Sequence, residues 1–134
     1  MRQLFLLFLL GCLCTVANAQ NYAAKFISYH DGKQFEFTVT LKQLENCPEW
    51  LAEQEHPPLS ARRALTLASD YLPKLVTNAE NWKAGEIRLR PAHDKWVYVV
   101  EFAEHKEGIK TPLGIVVLMN GEVVEPRITK RKLL

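Results

Sequence analysis

Trp96, Tyr98, Val100 and Phe102 stand at every second position of one segment, alternating with Val97, Val99 and Glu101. A period of two sends successive side chains to opposite faces, so this segment reads as a strand with one buried face. Ile87 and Leu89 alternate with Glu86, Arg88 and Arg90 in the same manner, with a turn between the two runs at Pro91 to Lys95. Ile115 to Met119 is a compact apolar strand, and Asn120-Gly121 after it is the strongest hairpin signal in the chain. Glu122 to Glu125 then returns until Pro126. Consecutive antiparallel strands with an apolar face need a second layer to cover it.

One segment supplies that layer. Ala61, Ala64, Leu65, Ala68, Leu72, Leu75 and Val76 recur every three or four residues, the spacing of an amphipathic helix, and Ser60 is placed to cap it. Pro73 falls inside the pattern and predicts a kink, because Leu75 and Val76 stay in phase beyond it. Upstream, Asn21 to Lys25 reads as a frayed entry. Asp31-Gly32 reads as a two-residue turn joining Phe26–His30 to the alternating run Phe35, Phe37, Val39, Leu41, with Phe26 opposite Phe37. Thr40 caps a short helical turn that Pro48 ends, and residues 51–59 read as an exposed connector. The expected fold is α+β: one main helix packed on a curled antiparallel sheet of three to four strands, preceded by a β-hairpin.

The chain of 134 residues suits one domain. Its first positions differ in kind. Arg2 precedes an unbroken Leu/Phe run from Leu4 to Leu10, and Ala17-Asn18-Ala19 follows as a small-x-small site. That order is the layout of a secretory signal peptide, and its apolar stretch falls short of the roughly 20 residues a membrane span needs. Cleavage after Ala19 is expected, with export to the periplasm or the medium; lipidation at Cys12 is the alternative. The division is therefore a leader at 1–19, a hairpin and connector at 20–59, the helix and meander at 60–126, and a basic tail at 127–134. Without the leader, 16 Lys and Arg face 15 Asp and Glu, a net charge of +1. So small a charge argues against a nucleic-acid partner. The expected mature chain carries no transmembrane span.

Residues 60–126 carry a resemblance. The helix at 61–76, Trp82, the run Trp96-Val97-Tyr98-Val99-Val100-Glu101-Phe102 and the closing Val116 to Val124 around Asn120-Gly121 are similar to the PepSY-type and cystatin-like group of small exported domains. That resemblance implies regulation or inhibition by binding, often of a peptidase, with no catalysis. Two loops that true cystatins insert into their targets have no counterpart: there is no Q-x-V-x-G, and Pro48 and Trp50 are separated by Glu49. Protease inhibition is therefore not carried over to particular residues.

Few residues group as catalytic chemistry would require. His30, His56, His93 and His105 are scattered through turns and charged loops, with no short ligand spacing, so neither metal nor cofactor is expected. Cys47 is the one cysteine left after the leader, which forbids an internal disulfide and leaves a free thiol or a Cys47-linked dimer. A thiol enzyme built on Cys47 with His56 is the alternative to a binding module. Trp50, Trp82, Trp96 and Tyr98 read as core or core rim. Arg62 and Arg63 on the helix and Arg88 and Arg90 on a strand would form a basic patch if they converged. Two loops are candidates for capturing a protein or peptide: 51–59, stiffened by Pro57 and Pro58, and 103–111, with His105, Lys106 and Glu107.

Overall fold

The computed structural model describes residues 21–105 and 111–132. The segment expected to be a leader, Cys12 included, and the loop residues Lys106 and Glu107 lie outside the described residues. The first strands are β1 (Tyr22–His30) and β2 (Lys33–Thr40), joined by Asp31 and Gly32, whose φ angles of 48° and 67° are those a tight hairpin demands. Phe26 sits opposite Phe37, as the alternation predicts, and the entry expected to fray already pairs, Tyr22 with Thr40. Phe35, Phe37 and Val39 are buried on one face of β2.

Thr40 then caps α1 (Leu41–Glu45). Its hydroxyl accepts from the Gln43 amide at 3.1 Å, and the Gln43 side chain accepts from the Thr40 amide at 2.9 Å. The main helix, α2 (Ala61–Tyr71), starts at Ser60, whose hydroxyl accepts from the Arg63 amide at 3.1 Å. It ends earlier than its apolar stripe suggests. At Leu72–Lys74 the chain tightens into one 3-10 turn, with Leu75 and Val76 both donating to the Leu72 carbonyl. Pro73 thus opens a new turn, where its missing N–H costs nothing, instead of kinking a continuous helix.

Three strands follow: β3 (Trp82–Ala92), β4 (Lys95–Glu104) and β5 (Leu113–Leu118), with β4 in the middle. Ile87 faces Val100 and Leu89 faces Tyr98 across β3 and β4. The turn between them is only His93-Asp94, with His93 at φ 56°. After β5 the chain reverses at Asn120-Gly121, but the return is short. It amounts to the Val117–Val123 bridge, flanked by Leu118 donating to Glu122 and Val124 donating to Val116. Pro126 diverts the chain, and Arg127–Lys130, expected to be a tail, forms β6 against β2.

The fold is therefore α+β with six strands in two antiparallel three-stranded sheets, β1-β2-β6 and β3-β4-β5, instead of one sheet of three or four. Helix α2 packs on the face of the second sheet that carries Ile87, Leu89 and Tyr98, setting the small Ala64 and Ala68 into the contact. The hairpin sheet covers the other face. There the Gly114 amide donates to Ser28 Oγ at 3.0 Å, and a Cβ on Gly114 would lie 3.0 Å from Val99 Cγ1. Every residue of β5 is buried, because it has a layer on each side. At the hairpin tip His30 meets Trp82 edge-to-face, 4.6 Å between ring centres. Among the described residues, all the buried apolar side chains join one core.

Candidate functional site

The connector between α1 and α2 is tied within itself by two hydrogen bonds and held to β4 at two points. Trp50 Nε1 donates to the Gln54 carbonyl at 2.9 Å, and the Leu51 amide donates to the Gln54 side chain at 3.0 Å. The Trp50 ring also meets Trp96 edge-on at 6.3 Å, and the Leu59 carbonyl accepts from the Tyr98 hydroxyl at 2.7 Å. These ties fix the approach of the connector to Ser60 and the first turn of α2. Between that approach and the sheet lies a cleft of about 420 Å³, lined by His56, Pro57, Ser60, Ala61, Ile87, Leu89 and Tyr98. Its size is ordinary for a ligand cleft of roughly 300–1,000 Å³, and most of its wall is aliphatic or aromatic.

Burial pushes the Tyr98 phenol above its ordinary 10.0, which keeps it neutral and a donor to Leu59. The sign follows from the shift. The unfolded phenol ionises near its ordinary value while the folded one keeps its proton to higher pH. Stability from this group is thus complete below about pH 10 and lost as pH rises through the folded value. Tyr98→Phe is expected to cost about 1–3 kcal/mol at neutral pH, because it orphans the Leu59 carbonyl. Urea melts near pH 7 and pH 11 check this: the gap between variant and parent should narrow in alkali, and an unchanged gap would contradict the assignment.

A second hollow of about 430 Å³ lies on the opposite side of β3, where β1 approaches the sheet; Lys25, Tyr29, Arg88, Arg90, Val99 and Glu101 are among its walls. Arg88 pairs with Glu86 at 2.7 Å and with Glu101 at 3.4 Å, and its hydrogen bond holds the Glu86 carboxyl below the ordinary carboxylate range. Lys25 pairs with Glu36 at 3.6 Å. Arg90 has no ion pair among the described residues.

The residues singled out by sequence are distributed unequally about these features. Pro57 and His56 line the cleft, whereas Pro58 is exposed and outside it. His105 is exposed at the end of β4, its amide donating to the Asn81 carbonyl at 2.8 Å. The two arginine pairs do not converge into a basic patch. Arg88 and Arg90 point to the face of β3 opposite Ile87 and Leu89, so the sheet stands between them and α2, which carries Arg62 and Arg63. Cys47 is buried, with its thiol donating to the Gln43 carbonyl at 3.3 Å. Lys95 Nζ donates to the carbonyls of Leu44 and Cys47. His56 belongs to the cleft, which Cys47 does not line, and no hydrogen bond joins the two among the described residues.

Ile87, Leu89 and Ala61 are the cleft residues that sequence reasoning placed in the core stripe. The signal that could have found Ile87 and Leu89 is Pro91, since proline in a strand marks an edge, and an edge strand's apolar face is only partly covered. Among the described residues there is no group of three or more His, Cys, Asp or Glu arranged to hold a metal ion, and no helix is long and apolar enough to cross a membrane. No protein-family model, no curated protein and no solved structure matches this chain.

Proposed function

We propose that the chain is an exported, non-catalytic binding and regulatory module that engages another protein or peptide through the cleft between the connector, α2 and β3–β4. The observation that carries the reading is the cleft itself, an open apolar hollow set on a tied-down scaffold. Trp96 of β4 and Leu51 of the connector, two of the elements that bound the cleft, are exposed as well. A preformed apolar wall with few polar groups suits capture of a side chain more than acid–base chemistry. The resemblance of residues 60–126 to PepSY-type and cystatin-like domains points the same way. Export rests on the Leu/Phe run and on Ala17-Asn18-Ala19, with Cys12 lipidation as the other fate of the leader. The buried Cys47 thiol, bonded to the Gln43 carbonyl, gives no support to the thiol-enzyme alternative with His56.

One experiment tests place and site together. The full chain, carrying a photo-crosslinking residue at His56, is produced in an exporting host. Intact mass should show Gln20 as the first residue; a retained Met1 or a lipidated Cys12 overturns the processing. Crosslinked adducts should form at His56 and disappear in Ala61→Trp, which fills the cleft from the exposed first turn of α2 without touching the core. Adducts that persist in Ala61→Trp would mean that the partner sits elsewhere.

A further inference from the structure

We infer that the occupant of this site is an extended peptide segment that adds as a new strand to the free edge of β3, its apolar side chains entering the cleft and its acidic side chains lying on the Arg88 and Arg90 side; the inference rests on the cleft reading above. Strand β3 ends its sheet, and no strand pairs with it beyond β4 among the described residues. Its edge carries two of the devices that discourage random pairing. A bulge falls between Ala84 and Glu86, and Pro91 offers no amide donor. Between them the five residues Glu86–Arg90 pair with β4 without a break, so they form a regular strand whose other edge is unpaired by any strand among the described residues.

What lies on either side of this window sets what it can accept. A strand laid along β3 continues the pleat, so its side chains alternate between the same two faces. One face is the apolar cleft, with Ile87 and Leu89 at its floor. The other is the groove bearing Arg88 and Arg90. Along β3, Lys83, Arg88 and Arg90 outnumber Glu86, leaving the strand at +2. Arg88 is already shared by Glu86 and Glu101, whereas Arg90 has no ion pair among the described residues. An acidic residue on that face completes the balance. A second copy of this chain does the reverse, because two-fold pairing through β3 brings two +2 strands together.

The probe is a fluorescein-labelled heptapeptide of alternating glutamate and leucine, titrated by anisotropy into the mature full chain. Two further versions are N-methylated at alternate amides, one on each of the two edges of the peptide strand. Strand addition predicts that one N-methylated version loses binding and the other keeps it, since only one edge faces β3. Replacing the glutamates with lysines should weaken binding about tenfold or more, and Arg90→Glu should reverse that preference. Equal binding by both N-methylated versions, or indifference to charge reversal, overturns strand addition. In that case the cleft reading still stands if Ala61→Trp abolishes binding, and it falls if Ala61→Trp leaves binding intact. Absence of binding by the parent peptide overturns the inference, as does a concentration-dependent dimer paired through β3 that the peptide fails to dissociate.

Discussion

Val100→Asp is expected to cost about 4 kcal/mol or more, enough to unfold a domain of ordinary stability of roughly 5–15 kcal/mol. Val100 is fully buried in β4, between Ile87 of β3 and Ile115 of β5. An aspartate there finds no cation and must lose its charge or drag water into the core. Its neighbour Glu101 is the control. It lies on the opposite face, pairs with Arg88 at 3.4 Å and keeps 23% of its side chain in solvent. Glu101→Lys exchanges one partly exposed ion pair for a repulsion and is expected to cost about 1 kcal/mol or less. Urea midpoints of the two variants measure the difference. Equal losses would show that the register of β4 is not the one described.

Phe37→Ala should have the next largest effect, about 3–5 kcal/mol. Phe37 is fully buried opposite Phe26, and its removal leaves a cavity that two stiff sheets cannot close. Thr38→Ala, on the outer face of β2, is expected to change stability by about 0.5 kcal/mol or less. The form of the transition matters as much as its position. The sequence reads as one domain in which residues 20–59 precede the helix and meander, so the hairpin and the rest should unfold together. With a single shared core, Phe37→Ala should shift one cooperative transition, coincident by far- and near-ultraviolet circular dichroism. Two resolved transitions would refute the shared core.

Much of the fold was legible from short-range chemistry. Asp31-Gly32 announces its turn because few residue pairs tolerate two positive φ angles, and Thr40 and Ser60 announce helix starts because their hydroxyls reach an amide three residues on. The register of Phe26 on Phe37 follows once the turn is placed. The candidate site was legible only in fragments: Pro57 and His56 were singled out as connector residues, but Ile87, Leu89 and Tyr98 read as ordinary core. Tyr98 is buried at the cleft wall, and the partial exposure of Ile87 and Leu89 depends on how α2 is placed across the sheet, which no local pattern records. The Arg pairs looked able to converge because sequence does not tell which face of the sheet a helix will cover.

The sequence by itself determined the turns, the caps, the alternating faces of β2, β3 and β4, and hence the α+β class. Each of these is settled among residues a few positions apart, by sterics and hydrogen bonding that any context would preserve. It also held an unread sign of a second layer. Ile115 to Met119 is apolar at every position, which a strand covered on one face does not need. Only the tertiary structure decided that the hairpin folds back as that layer, and that Arg127–Lys130 becomes a strand. Those four residues hold one apolar side chain, and their pairing partner Glu36 lies 91 positions from Arg127. Such a strand has no pattern of its own; it forms because β2 presents a free ladder and the chain, turned by Pro126, arrives beside it.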